Sequence, residues 1–202
     1  MSEERLKIES EALELLIKAK LFNHLAKCFT QDHQSFLSNL KSISRILEHI
    51  GELRLRDKVL EMINLLESNP GLTDDYSRIF ESGNVSPYES DYIHDVRSPS
   101  KLYLKADVSG FYRALGMRSS GEMPDHISVE LEFISFTLLK EAYSLLKGDG
   151  KSGLVRDLRR KFLDEHLSRW LGKLDGRLRS HTDNKLYIDL VGLTIESIRR
   201  LL

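Results

Sequence analysis

The sequence predicts an all-α protein, a single-domain bundle of eight or nine helices over residues 1–202 with a long irregular loop near residues 83–98. Three observations predict this class. Apolar residues recur every three or four positions along nearly the whole chain. No stretch shows the alternation of a half-buried strand. Only 12 glycines and four prolines occur in 202 residues, too few for a turn-rich β-protein.

The first half of the chain carries three amphipathic patterns that end at helix-breaking residues. The patterns span residues 13–29, 36–50 and 55–66. Gly51 is typical of a helix C-terminus, and Pro70 cannot continue the third helix. Thr73 is then suited to cap a short helix that carries Tyr76 and Phe80. We therefore expect four helical elements before the irregular loop.

Helical order resumes after the loop. Ser98 followed by Pro99 is typical of a helix start, and Gly116 is typical of its end. The most apolar segment follows at residues 125–147, and further amphipathic patterns cover residues 163–178 and 186–202. These patterns complete the predicted bundle.

Composition and charge indicate a soluble globular protein. Hydrophobic residues make up 41% and charged residues 30%, a mixture typical of that class. The formal charge of −1 recruits neither nucleic acid nor an anionic membrane, and no apolar run approaches the roughly 20 residues of a membrane span. One cysteine, Cys28, excludes an internal disulfide and a multi-cysteine metal site. Since residues 1–20 lack the apolar core of a secretory signal, we expect a cytoplasmic protein without cofactor, nucleic-acid partner or stable membrane insertion.

The segment of residues 125–145, placed on a helix, has two apolar rows separated by a narrow polar stripe. The stripe consists of His126, Glu130, Thr137 and Ser144. An imidazole and a carboxylate four residues apart can touch, and neither stays buried without partners. The stripe either faces a groove or holds a neighbouring loop by hydrogen bonds, and both interpretations stay open. A catalytic acid–base pair is a third interpretation, although no nucleophile motif accompanies it.

Residues 148–152, Gly-Asp-Gly-Lys-Ser, end like a phosphate-binding loop. The first glycine of that motif falls at Leu145 in this chain, and a predicted helix precedes the segment where the motif requires a strand. We expect a turn between two helices here.

Five motifs occur in order between residues 76 and 170. The most specific is Met123-Pro-Asp-His-Ile-Ser-Val-Glu-Leu-Glu-Phe133, preceded by Glu122. The others are Tyr76-x-x-Ile79-Phe80, Pro87-Tyr88-Glu89-Ser90-x-Tyr92, Phe111-Tyr112-x-x-Leu115-Gly116 and Phe162-x-x-x-His166-Leu167-x-x-Trp170. Together they resemble the signature of the TorD/DmsD/NarJ-like redox-enzyme maturation chaperones. In the last motif we expect His166 and Trp170, four apart on a helix, to be packing residues.

The resemblance implies an all-helical cytoplasmic chaperone that catalyses no reaction. Such chaperones bind the twin-arginine signal peptide, or another segment, of a molybdoenzyme precursor while its cofactor is inserted and before export. A NarJ-like chaperone of a non-exported nitrate-reductase-type subunit is the alternative, and a small enzyme using His126 and Glu130 is a remote one. Members occur as monomers and as domain-exchanged homodimers, and both states stay open for this chain.

A signal peptide combines an apolar stretch with arginines, which suits a groove with carboxylates nearby. The predicted peptide-binding residues are Tyr76, Phe80, Pro87, Tyr88, Glu89, Ser90, Asp125, His126 and Glu130. We expect the aromatic and proline side chains to line the apolar part, with Asp125 and His126 at its mouth. Glu89 and Asp91 are the expected arginine partners.

Overall fold

A computed structural model describes residues 3–30, 33–81, 83, 85–93, 100–118 and 123–202. Eight α-helices, joined by turns and loops, make up most of these residues. The helices are α1 (Glu3–Lys27), α2 (His33–His49), α3 (Leu53–Ser68), α4 (Lys101–Ala114), α5 (Ile127–Lys147), α6 (Ser152–Phe162), α7 (Ser168–His181) and α8 (Lys185–Leu201). No strand occurs in these ranges, although one isolated antiparallel bridge joins Tyr88 to His126. The predicted all-α bundle is confirmed.

Helix α5 lies at the centre of the bundle and packs against α1 and α6. Both predicted apolar rows are largely buried, including Leu131 on one side and Phe133 on the other, and only Phe136 and Leu145 at their ends are half-buried. The Phe133 ring lies 4.7 Å from the ring of Phe162 and 4.8 Å from that of Tyr112. A helix that is apolar on two faces buries both of them against neighbouring helices, as the sequence predicts.

Helix α1 meets α5 through small side chains. Ala12, Ala19 and Ala26 are buried at seven-residue spacing, and the Ser135 hydroxyl donates to the Ala19 carbonyl at 2.8 Å. Small side chains at a helix contact allow a short interaxial distance. The predicted apolar stripe of α1 was wrong at its start, because Leu13 is 57% exposed whereas its neighbour Ala12 is buried.

The short helix predicted before the irregular loop consists of two irregular turns. A 3₁₀ turn covers Pro70–Asp75, and a π-helical turn covers Ser77–Glu81. Thr73 lies inside the 3₁₀ turn, where its hydroxyl donates to the Pro70 carbonyl at 3.4 Å, so it does not act as the predicted cap. Pro70 suits the first position of this turn, because the backbone N–H of a first residue has no partner within the turn and proline lacks that N–H.

The start of α4 also differs from the prediction. Ser100 is the N-cap residue, and its hydroxyl accepts from the Tyr103 amide at 3.1 Å. The predicted cap, Ser98-Pro99, and Glu122 of the Asp-His motif lie outside the described residues. Gly116 has a φ of +79° just after α4, in the left-handed region that favours glycine, so its predicted role is confirmed.

The Gly-Asp-Gly-Lys-Ser segment is a turn between two helices, as predicted. Gly148 ends α5 with a φ of +67°. The Ser144 hydroxyl donates to the Asp149 carboxylate, which also accepts from the Lys151 amide. These bonds complete the C-terminal end of α5, and no strand precedes the segment as a phosphate-binding loop requires.

One buried ion cluster joins α5 to α6. The Glu141 carboxylate is fully buried and accepts from Arg156 Nε and Arg159 Nη1, each at 2.6 Å. Arg156 also contacts Glu11 of α1 at 2.9 Å.

No helix in the described ranges carries an apolar run long enough to cross a membrane.

Candidate functional site

A cavity of about 610 Å³ opens between the irregular loop, α4, α5 and α7. Its lining residues are Tyr76, Phe80, Glu81, Gly83, Ser86, Pro87, Tyr88, Asp91, Lys101, His126 and Arg177. A concave space of this size is typical of sites that hold a small molecule or a few side chains of a peptide. The aromatic and proline side chains of the predicted set and His126 therefore meet at one pocket. The other four predicted residues do not line it.

The wall of the pocket is a loop tied to the start of α5. This 86–92 loop pairs its backbone with residues 125–127: the Ile127 amide donates to the Pro87 carbonyl and the Glu89 amide to the Asp125 carbonyl, both at 2.9 Å. The Asp125 carboxylate accepts from the Ser90 amide at 3.2 Å. These bonds satisfy the polar backbone of an irregular segment and hold Tyr88 beside the helix.

Three carboxyl groups lie beneath this loop rather than at the pocket mouth. Glu89, Asp125 and Glu130 are fully buried. Glu89 accepts from His166 Nδ1 at 3.0 Å, and Glu130 accepts from Trp170 Nε1 at 3.1 Å. Asp125 therefore lies away from the mouth where it was expected, and Glu89 is not exposed as the expected arginine partner, because each carboxylate is used inside the protein. Within the polar stripe of α5, His126 lines the pocket and bridges to Tyr88 of the loop, whereas Glu130 bonds to Trp170 of α7. Each of the two open interpretations therefore describes only part of the stripe.

The surroundings of Glu130 favour its neutral form. Burial raises its pKa well above the usual value, and the charge of nearby Glu89 raises it further, against a smaller opposing effect of the Trp170 hydrogen bond. A protonated carboxyl can remain in this dry position without a counter-charge. Asp125 has a cation nearby instead, since Lys105 Nζ lies 3.8 Å from its Oδ1.

His126 contributes to both the helix and the pocket. It is the N-cap residue of α5, and its Nδ1 accepts from the Ser128 amide at 3.2 Å. The ring is 3% exposed and packs edge-on against Tyr88, with the centroids 5.1 Å apart. Burial lowers its pKa from 6.5 to about 4. At neutral pH the imidazole is uncharged, and since Nδ1 accepts the helix amide, its hydrogen lies on Nε2.

Charges of both signs line the pocket. The Asp91 carboxylate accepts from the Ser86 hydroxyl and forms an ion pair with Lys101. Arg177 lies over the ring of Tyr92, 5.5 Å from its centroid. Asp91 is thus at the pocket wall, as expected for an arginine partner, but it already holds a lysine.

Sequence reasoning missed Lys101 and Arg177, because a single cation on a helix surface carries no periodic signal. His166 and Trp170 are buried, as expected of packing residues. Their hydrogen bonds to the buried carboxylates were not anticipated. His166 and Trp170 are four residues apart on the same helical face and share one motif. This spacing was the signal that both could bond to neighbouring carboxyl groups.

Comparison with known proteins gives two matches. A family model described as nitrate reductase delta subunit matches residues 53–175. The selenate reductase assembly chaperone protein of Thauera selenatis is 31% identical over 113 residues, which cover 54% of this chain and 58% of that protein. The chain therefore spans little more than half the length of this relative. No solved structure matches significantly. All nine predicted peptide-binding residues lie within the range that the family model matches.

Proposed function

Because the chain belongs to the nitrate reductase delta subunit family, we propose that it is an assembly chaperone of a molybdenum-cofactor oxidoreductase. In this role it binds a peptide segment of the apo-enzyme in the cytoplasm and holds it until the cofactor is inserted. Family membership agrees with the resemblance that the five sequence motifs carry. The name of the similar Thauera selenatis protein, an assembly chaperone of selenate reductase, supports the same role.

The observation that carries the proposal is the convergence of Tyr76, Phe80, Pro87, Tyr88 and His126 on one pocket. Aromatic and proline side chains bury large apolar areas at little conformational cost, which is typical of peptide-binding surfaces. Two of the five come from the irregular turns before the loop, two from the loop itself and one from the start of α5. A pocket built in this way suits an apolar peptide segment.

We propose that the segment is a twin-arginine signal peptide whose apolar residues enter this pocket. Asp91 and Glu81, which line the same cavity, are the carboxylates within reach of its arginines. The alternative client is a non-exported nitrate-reductase-type subunit, which the family description favours. An Arg-Arg leader on the client distinguishes the two.

The geometry does not support an acid–base enzyme. His126 lines the pocket, but Glu130 lies beneath the loop with Trp170 as its hydrogen-bond donor. An acid and a base that act on one substrate must both reach it. Binding without turnover is the function that this arrangement supports.

The test is binding of a fluorescein-labelled twin-arginine leader peptide, followed by fluorescence anisotropy. Tyr88→Ala removes an aromatic wall of the pocket and is expected to weaken binding about tenfold or more, since burial of such a side chain is worth about 1.5–3 kcal/mol. Tyr143→Ala is the matched control, because this tyrosine is largely exposed on α5 away from the pocket.

Equal affinities of Tyr88→Ala and the wild-type protein, with both folded by circular dichroism, would contradict the pocket as the binding site. Capture of the client from native cytoplasm, with mass spectrometry of the co-purifying protein, then identifies which reductase is served. Recovery of a precursor without an Arg-Arg leader supports the alternative client.

A further inference from the structure

The ion pair between Asp91 and Lys101 stands at the wall of the pocket. The Asp91 side chain is 27% exposed and that of Lys101 is 56% exposed. Asp91 is fixed independently of the lysine, because it lies in the 3₁₀ turn Glu89–Asp91 and accepts from the Ser86 hydroxyl. The carboxylate therefore keeps its position whether or not Lys101 contacts it.

Lys101 is weakly held by comparison. It is the first residue of α4, and the first turn of this helix contains no acidic residue. A cation at this end of a helix is disfavoured by the helix dipole, so helix stability does not explain its position. An exposed lysine–carboxylate pair contributes little net free energy, and an ammonium makes a single point contact where a guanidinium can bind through two parallel hydrogen bonds.

We propose that Lys101 is an internal placeholder: in the free protein it occupies on Asp91 the position that a guanidinium of the client peptide takes in the complex. The inference rests on the proposed function and adds to it the chemistry that the pocket selects. A purely apolar peptide leaves the Asp91–Lys101 pair intact, whereas a peptide with an arginine beside its apolar run exchanges for the lysine.

The charges around Asp91 fit this exchange. Burial raises the pKa of Asp91, but hydrogen bonds from Lys101 and Ser86 and the charges of Lys101 and Lys105 outweigh it, so the pKa is lower than usual. The carboxylate is ionised at neutral pH, both as a partner of Lys101 and as a receptor for an incoming cation. Glu81 on the same pocket wall offers a second carboxylate to the adjacent arginine of a pair.

The experiment measures the affinity of the labelled Arg-Arg leader peptide for Lys101→Gln. Removal of the competing lysine is expected to tighten binding about three- to fivefold, the upper part of the range for a weak surface ion pair. Lys185→Gln is a closely matched control, because Lys185 forms an ion pair with Asp189 at side-chain exposures of 59% and 30%. This substitution removes the same positive charge at a position away from the pocket. The affinity of Lys185→Gln is expected to stay within about twofold of the wild-type affinity.

Two further measurements assign the effect to Asp91. A leader peptide with glutamine in place of both arginines is expected to bind Lys101→Gln and the wild-type protein equally. In the Asp91→Asn, Lys101→Gln double variant the gain is expected to disappear. Circular dichroism confirms that each variant is folded.

Unchanged or weaker binding of the Arg-Arg peptide to Lys101→Gln overturns the placeholder inference. Weaker binding assigns Lys101 to direct contact with an acceptor group of the ligand. An equal gain in Lys185→Gln also overturns it, since net charge alone then explains the change. In these cases wild-type binding that depends on Tyr88 still supports the proposed function. Absence of binding by every variant overturns both.

Discussion

His126 serves the fold through Nδ1 and the pocket through the packing of its ring. Nδ1 accepts the Ser128 amide at the start of α5, and the ring packs against Tyr88 in the pocket wall. A charged imidazole has no acceptor lone pair left for the helix amide. Protonation of His126 therefore opposes both the helix cap and the burial of the ring.

This arrangement predicts a pH dependence of stability. The pKa of His126 is about 4 in the folded protein against 6.5 ordinarily, so between these values the unfolded chain binds more protons. Its contribution is complete above about pH 6.5 and is lost as the pH falls toward 4, by about 3 kcal/mol in all. His126→Asn keeps an N-cap acceptor without a titrating group and is expected to lose less stability over this range.

Urea unfolding at pH 7 and pH 4.5 measures the difference between His126→Asn and the wild-type protein. His181→Asn is the control, because this histidine is exposed at the end of α7. An identical loss of stability on acidification in His126→Asn and the wild-type protein would show that the ring does not titrate with a lowered pKa.

At the scale of helices, periodicity predicts the elements well and their ends poorly. The stripes of α2, α3, α5 and α8 are recovered because a buried face repeats over many residues. The role of Thr73 and the cap of α4 were missed, since each depends on one hydroxyl group and one backbone geometry. The predicted start of the α1 stripe was wrong because alanine gives a weak signal even when it forms the contact.

The polar stripe of α5 shows a second limit of the sequence. Its face is readable from spacing, but its partners are not, because Glu130 meets Trp170 at a separation of 40 residues and Glu89 meets His166 at 77. Five of the nine predicted site residues line the pocket. They could be predicted because they belong to motifs that are visible in the sequence. Which carboxylates face the ligand depends on packing that spacing alone does not specify.

The buried cluster of Glu141 predicts a large effect from one substitution. Glu141→Gln removes the charge that compensates Arg159, which is itself buried between α5 and α6. Loss of one partner of a buried ion pair costs about 3–5 kcal/mol. Glu9→Gln is the control, because its pair with Arg5 is exposed and four residues apart on α1, and a change within about 0.5 kcal/mol is expected. Denaturant unfolding measures both, and a similar small change in each would argue against a buried cluster.

At the scale of the whole molecule, helices outside the family match support the pocket. Helix α8 lies behind its aromatic wall: the Tyr187 hydroxyl donates to the Thr73 carbonyl at 3.1 Å, and its ring lies 5.4 Å from that of Phe80. Asn184 donates to the Leu72 carbonyl at 3.0 Å. Helix α1 covers one face of α5 in the same way. The match to residues 53–175 is therefore shorter than the part of the chain that packs around the pocket and α5.

A fragment of residues 53–175 is accordingly expected not to fold cooperatively. Without α1 and α8 it exposes one side of α5 and the back of the pocket, and apolar surface of that extent is the main source of folding free energy. Thermal unfolding followed by circular dichroism compares it with the chain of residues 1–202. A sharp transition in the fragment, at a temperature close to that of the longer chain, would show that the matched range folds on its own.

Trp170 is the single tryptophan of the sequence. Its indole stacks on Tyr92 of the 86–92 loop, with the ring centroids 5.5 Å apart, and donates to Glu130. Indole emission responds to a neighbouring carboxyl group and to the entry of water. The protein thus contains its own optical reporter, and the colour and intensity of that emission are expected to change whenever the loop moves, without an attached dye.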